Sequence, residues 1–259
     1  MSIIAPVRQG PLGAVNPVAK LGAALIVTVV LLLSIDIVSA AVALGLELVL
    51  LCFSRIPFRV LALRTAPVWI AAPLAGITTL LYGRTSGVVY VQWMFVEISD
   101  GSIQLAVATT LRILAIGLPA VLLFITIDPT DLADGLAQVL HLPARFVLGG
   151  LAGLRLVGLF VDDWRALSLA RRARGISESG ALRRMLGQAF ALFVLSIRRG
   201  TKLATAMEAR GFGASTVRTW ARQSVFRGRD WVALSVAAAV AITAAGAAIA
   251  AGTWHVFGA

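Results

Sequence analysis

The residues best suited to recognition chemistry are two tripeptides, Ala173-Arg174-Gly175 and Ala209-Arg210-Gly211, thirty-six positions apart. Each closes a predicted long helix. Glycine there permits the left-handed turn that ends a helix, and a cation beside it suits the negative end of the helix dipole. An arginine held at a helix tip suits docking, because its planar guanidinium makes a two-pronged contact with a carboxylate that lysine cannot make. Basic residues near helix ends are common, so one copy would carry little; two copies inside one basic block argue for a pair of docking points.

Other candidate chemistry is thinner. Asp128, Asp131 and Asp134, at steps of three, could line one helix face and hold Mg²⁺ for a diphosphate substrate. The competing reading is helix capping and solvent exposure, because a second acidic cluster is wanting: Asp162 and Asp163 lie in an arginine-rich helix. His141 and His255 stand far apart without Cys or acid partners at ligand spacing, so no zinc site is expected. No phosphate-binding glycine loop is present, neither Gly-x-x-x-x-Gly-Lys-Ser/Thr nor Gly-x-Gly-x-x-Gly after a strand, so any ATP use must come from elsewhere. The lone Cys52 sits in an apolar run, excludes an intrachain disulfide and is expected to pack. No cofactor is called for.

The elements that must position these residues belong to a membrane protein. Of 259 residues 59% are apolar and 14% charged, with a mean hydropathy of +0.92, far from the composition of a soluble domain. The net charge of +11 is localised. Sixteen Lys or Arg against four acids fall between Arg145 and Arg229, which leaves the rest near neutrality. An anionic membrane face or acidic protein partner fits this block better than nucleic acid, since no basic-and-aromatic strand-binding pattern occurs.

Apolar runs at 18–35, 37–53, 65–82, 103–127 and 231–251 predict about five membrane helices. The N-terminal run is expected to be retained, because a second apolar run follows at once without a small-residue cleavage site. Arg8 and Lys20, then Arg55, Arg59 and Arg64, then the large basic block fall in alternate connections, which by the positive-inside rule are cytoplasmic. Arg84 and Arg112 are the exceptions among twenty-three cations. Glu47 and Arg112 fall within spans, where they either pair with each other or snorkel to a span end.

The hundred residues from Asp128 to Arg229 exceed what a connection between spans requires and predict a functional module. A short helix runs to about His141; a second opens at Pro143 and reaches about Gly175; the turn Ile176-Ser177-Glu178-Ser179-Gly180 leads to a third that ends at Arg210. The second is expected to be amphipathic, with Arg155, Asp162, Arg165 and Arg172 on one face and Val147, Leu151, Leu154 and Val161 on another, and too charged to span a bilayer comfortably. The third places Leu182, Leu186, Ala189, Phe193, Ile197, Gly200, Ala204 and Met207 in one seam. Its small members predict that the two long helices cross there.

These residues resemble the transmembrane T component of energy-coupling factor transporters, importers of the ATP-binding cassette class. The resemblance is carried by Asn16-Pro17-Val18-Ala19-Lys20, by Asp128-Pro129-Thr130-Asp131-Leu132 with Leu142-Pro143, and by Ala173-Arg174-Gly175. It continues through Ala206-Met207-Glu208-Ala209-Arg210-Gly211-Phe212, Arg218-Thr219 and Arg229-Asp230. The family usually opens with Asp-Pro-x-x-Lys, so Asn16 is a departure and no acidic role is carried onto it. The resemblance implies that Arg174 and Arg210 each enter a groove on one of two ATPase subunits, with the flanking Ala173, Gly175, Ala209 and Gly211 keeping the tips slim. It also implies a substrate-binding membrane S component on the long helices, and import of a vitamin or metal ion driven by motion of the ATPases.

The expectation is therefore an all-α membrane protein with an N-terminal membrane domain at 1–127, a coupling-helix module at 128–229 and a C-terminal span at 230–259. It serves as the non-enzymatic coupling subunit of an importer in the cell membrane. The alternative is a Mg²⁺-dependent membrane enzyme acting through Asp128, Asp131 and Asp134, and a third possibility is a freestanding scaffold or channel.

Overall fold

A computed structural model describes residues 11–53, 57–83, 86–93, 96–175, 180–212 and 219–254. The basic residues Arg8, Arg55, Arg84 and Arg218, the turn 176–179 and His255 lie outside the described residues. The helices are α1 (Pro17–Leu33), α2 (Ile37–Phe53), α3 (Phe58–Tyr82), α4 (Asp100–Ile125), α5 (Pro129–Gln138), α6 (Ala144–Ala173), α7 (Ala181–Ala209) and α8 (Gly228–Ala250). A short hairpin, β1 (Val89–Trp93) and β2 (Val96–Ser99), precedes α4. By internal contacts the chain divides into one unit of residues 1–135 with 224–259 and a second of 136–223.

The first unit is packed the wrong way round for water. Fourteen of the twenty-two buried apolar residues described are alanine, while Leu25, Leu32, Trp69, Ile70, Leu74, Ile242 and Ile249 face outward. Water would reward the opposite arrangement; a lipid solvent removes that drive and favours small residues where helix backbones approach. Ala23, Val27 and Leu31 of α1 meet Ala43 of α2, Ala115 of α4 and Ala237, Val240 and Ala244 of α8. A second cluster joins Ala72 of α3 to Leu114 and Leu118 of α4.

Glycine sets the α3–α4 approach. A methyl group at Gly117 would lie 2.6 Å from Cγ1 of Val68, whose β-branched side chain has little rotamer freedom with which to yield. Gly117→Ala is therefore expected to cost about 1–3 kcal/mol by overpacking, read as a lower Tm in detergent; Gly45→Ala, with nothing near its added methyl, serves as the control. Pro67, Pro73 and Pro119 lie inside continuous helices, which neighbouring helices make tolerable in a membrane.

Polar residues close the helix ends. Asp36 accepts from Ser34 Oγ (2.8 Å), Ser39 N (2.6 Å) and Ser39 Oγ (2.6 Å) at the start of α2. Ser99 and Ser102 form a capping box on α4. At the start of α1 the Asn16 side chain accepts from Val18 N (3.0 Å) and donates to Ser224 Oγ (3.0 Å). The Asn16 and Arg227 amides both donate to the Asp230 carboxylate, each at 2.6 Å. Fully buried Lys20 donates to the Thr126 carbonyl at 3.1 Å, with Asp131 and Asp230 near enough to act on its charge.

The nearly all-α membrane fold stands as expected, and local details differ. By length and composition four helices can cross a membrane, namely Arg59–Tyr82, α4, α6 and α8, whereas α1 and α2 are shorter apolar helices of 17 residues each. The inclusion of α6 was not expected, and its amphipathy over the full length is weak. The reason is lengthwise segregation: residues 144–161 are apolar on all sides apart from Arg145 and Arg155, and the charges crowd from Asp162 onward. Ahead of α4, residues 89–93 and 96–99 pair as antiparallel strands where hydropathy alone shows only a join between spans. Tyr90 Oη donates to Asp100 at 2.8 Å, and that hydrogen bond raises the phenol pKa above its ordinary value. Cys52 is exposed near the end of α2 rather than packed. The helix expected to reach His141 ends at Gln138, and His141 itself takes a φ of 53°.

Candidate docking site

Both tripeptides build the same local structure. Ala173 and Ala209 are the last residues of α6 and α7, and Arg174 and Arg210 are the C-caps, with φ and ψ of −89° and 5° in one and −90° and 10° in the other. Gly175 and Gly211 follow in the left-handed region at φ 69° and 77°. At α7 the Gly211 amide donates to the Glu208 carbonyl (2.9 Å) and the Phe212 amide to the Met207 carbonyl (2.9 Å), the paired bonds of a Schellman motif. At α6 the Gly175 amide donates to the Arg172 carbonyl at 3.0 Å, the counterpart of the first of these.

Nothing lies within 4 Å of where a methyl group would sit on either glycine, so conformation rather than space demands glycine there. Gly211→Ala is expected to cost about 1 kcal/mol through the left-handed backbone. The readout is hydrogen exchange at the Phe212 amide, which should quicken roughly fivefold without global unfolding. Both arginines are exposed, and neither forms an ion pair among the described residues.

The helices that carry these tips pack as an antiparallel pair. Asp163 on α6 receives both prongs of Arg199 on α7, Nη1 to Oδ2 at 2.5 Å and Nη2 to Oδ1 at 3.3 Å. Further along, the Arg171 guanidinium lies over Gly187 and reaches toward the Arg184 carbonyl (3.4 Å). On either side of Asp163–Arg199 the helices part. One gap is a cavity of about 400 Å³ lined by Trp164, Ser168, Arg172, Met185 and Gln188. The other is a cleft of about 980 Å³ with Arg145, Arg155, Arg199 and Arg210 on its walls.

Most of the predicted seam of α7 does not pack, Gly200 and Met207 being its half-buried members. Leu182, Leu186, Phe193 and Ile197 are 54–67% exposed and Ala189 and Ala204 are also exposed, while Gln188, Leu192, Leu195, Arg199, Leu203 and Met207 form the covered side. A helix with an apolar stripe announces that something covers it, and periodicity cannot say whether that is its neighbour in the chain or another molecule. No residue of α6 is fully buried. The second unit therefore presents apolar surface on both long helices, including Phe146, Leu154 and Val157.

The remaining candidates separate. Asp128 accepts from the Thr130 amide at 2.8 Å and so caps α5, and among the described residues no three acids, histidines or cysteines gather in a group able to hold a metal. Glu47 and Arg112 do not pair. Both Glu47 oxygens and one Arg112 nitrogen are buried without a hydrogen-bond partner. Arg112 feels Asp36 at the head of α2, whereas Glu47 lies eleven residues further along the chain, about 16 Å away at the standard rise, and lines a cavity of about 290 Å³ with Lys20. Sequence reasoning missed the Asp163–Arg199 bridge and the Asn16–Asp230 bracket; the first had a signal, because those residues share the thirty-six-residue spacing of the tripeptides.

An alanine-packed bundle with outward-facing leucines marks an integral membrane protein, and its long helix pair carries two like cationic ends. Residues 10–219 match the family described as cobalt transport protein, CbiQ. The chain is 27% identical over 239 residues to the energy-coupling factor transporter transmembrane protein EcfT of Brevibacillus brevis, covering 88% of this chain and 90% of that protein. It is 30% identical over 233 residues to EcfT of Bacillus selenitireducens, at 85% and 87% coverage, and 29% identical over 202 residues to EcfT of Limosilactobacillus fermentum, at 73% and 75%. The chain belongs to the CbiQ family, as an EcfT-like transmembrane component of energy-coupling factor transporters.

Proposed function

We propose that the chain is the coupling subunit of an importer, with Ala173-Arg174-Gly175 and Ala209-Arg210-Gly211 each seated in one of two ATPase subunits. The observation that carries this is the shared C-cap geometry: two exposed arginines, each framed by alanine and a left-handed glycine, end a pair of helices that run in opposite directions. Equivalent tips suit equivalent receptors. The exposed apolar faces of α6 and α7 suit a hydrophobic membrane partner, the substrate-binding S component, and the basic block supports a cytoplasmic location for both tips, where ATP is available. Hydrolysis belongs to the ATPases and substrate recognition to the S component. Residues 128–229 act as the coupling module and the cargo is a vitamin or metal ion.

Copurification tests the reading. The detergent-solubilised chain should bring down both ATPase subunits, and Arg174→Glu with Arg210→Glu should release them while leaving the elution profile of the chain unchanged. Retention of both ATPases by that double variant would reject the docking role.

A further inference from the structure

We infer that the cavity among α1, α2, α4 and α8 is a lipid-binding site, where Glu47 receives the amine head of an ethanolamine-class phospholipid and the apolar walls hold part of its chain. Its residues belong to the first unit and include none from the two long helices that carry the arginine tips, so it stands apart from the docking reading. Both α1 and α2 pack on α4 and α8, and the space left among them measures about 290 Å³. That is the lower end of the range for small-molecule sites. Val27, Leu44, Leu118 and Val240 are among its walls, and Lys20 and Glu47 are its ionisable members.

The two ionisable groups do not satisfy each other. Lys20 is turned to the Thr126 carbonyl at 3.1 Å, and both Glu47 oxygens are buried without a hydrogen-bond partner. A buried polar group in that condition calls for a donor from outside the chain. Water is poorly held, because a buried water usually has about three polar partners and these walls are otherwise apolar. A metal ion is poorly held as well: hard cations take about six oxygen ligands or more, and among the described residues no three metal-binding side chains gather. An amine head needs a single acceptor and brings its own apolar body. Rotation about the side-chain bonds of Glu47 carries the carboxyl from its packed position into the cavity without moving the helix.

The position of the cavity selects a lipid. Leu48, Leu50 and Phe53 line it and are exposed, so its mouth opens on outward apolar surface, the kind that meets acyl chains in a bilayer. Its lining comes from the starts of α1 and α8 and the ends of α2 and α4, which places it toward one end of the bundle. Glu47 is six residues from the end of α2, about 9 Å at the standard rise. A lipid head belongs near the edge of the hydrocarbon layer, and its chain would run inward along Val27, Leu44 and Val240. The carboxylate selects the head: an ethanolamine ammonium donates charge-assisted hydrogen bonds, a choline head has the charge without an N–H, and an acidic head is repelled. A chain seated there braces α1 against α2, which otherwise rest chiefly on α4 and α8.

Native mass spectrometry of the full chain, delipidated in detergent and titrated with dioleoyl phosphatidylethanolamine or dioleoyl phosphatidylcholine, tests the assignment. The ethanolamine lipid should bind with a Kd about tenfold lower, the difference that a charge-assisted hydrogen bond makes. Glu47→Leu should abolish that preference, and Glu47→Gln, which keeps an acceptor without the charge, should reduce it to about threefold or less. Ala24→Leu, which fills the cavity from α1 and leaves the carboxyl in place, should remove it too and keeps the test open if a Glu47 variant fails to fold. Thermal unfolding supplies a second readout. Ethanolamine lipid should raise the Tm of the wild-type chain, and Glu47→Leu should lose that rise while its Tm without lipid stays the same or increases, because the orphaned carboxyl is gone. Equal Kd values for the two lipids, or a preference retained by Glu47→Leu or by Ala24→Leu, would overturn the site.

Discussion

Replacing Arg174 and Arg210 together by glutamate is expected to lower ATP-dependent uptake by about a hundredfold or more in reconstituted vesicles, with the chain still inserted and folded. Both side chains are exposed caps without an ion pair among the described residues, so the substitutions remove little from the chain itself. The lost favourable interaction with each helix dipole is about 0.3–1 kcal/mol. At a docked, desolvated contact with a carboxylate the same change leaves like charges facing each other, at about 2–5 kcal/mol per site. Each 1.4 kcal/mol is a factor of ten, so one site alone accounts for a loss of one to three decades.

The single variants separate docking from coupling. If transport requires both tips to be driven, Arg174→Glu alone should lose most uptake yet retain partial ATPase binding through Arg210. Lysine at both positions should give an intermediate result, since it keeps the charge and loses the fork. Normal uptake by the double glutamate variant, at matched protein levels, would remove the basis for the proposed function.

The largest stability effect is expected at Asp230. Its side chain is 1% exposed and accepts the Asn16 and Arg227 amides at 2.6 Å each. It therefore caps α8 and at the same time ties the start of α1 to it, two segments 214 residues apart in sequence. Asp230→Ala leaves two amides without their acceptor and deprives buried Lys20 of a nearby negative charge. At about 1–3 kcal/mol for each unsatisfied group, the combined cost is roughly 3–5 kcal/mol, or about 6–20 °C in Tm for a chain of this size.

Asp162→Ala is the matched control. That carboxylate is 73% exposed and makes only a 4.0 Å contact within α6, so its removal should change Tm by no more than about 1–2 °C. Size-exclusion thermostability in detergent reads both. A Tm for Asp230→Ala within that same margin would show that the bracket contributes nothing. Asn16 shares the bracket through its amide group, which donates to Ser224 while its oxygen caps Val18, and this gives the departure from the usual acid at that position a structural role.

Sequence alone determined whatever depends on local pattern and composition. The spans 37–53 and 103–127 appear as α2 and α4 within three residues at each end, and the long helices end at Ala173 and Ala209, immediately before the two arginines. Helix length follows from an unbroken apolar run, and helix termination from glycine, so both are written in adjacent residues. The same holds for the membrane character and for the two tripeptides, whose equivalent caps require no long-range contact.

Only the tertiary structure decided which faces meet. The α7 stripe of Leu186, Phe193 and Ile197 had the right period for a packing seam and is open, while the covered side is polar at Gln188 and Arg199. Glu47 and Arg112 had the right chemistry to pair and lie apart, and Asp128, Asp131 and Asp134 had the spacing of a metal site and do not gather. A helix fixes the angle between its own residues but not the rotation that a second helix selects against it. That rotation comes from the summed packing of both surfaces and from single directional contacts such as Asp163 with Arg199, whose partner is thirty-six residues away and invisible to any local window.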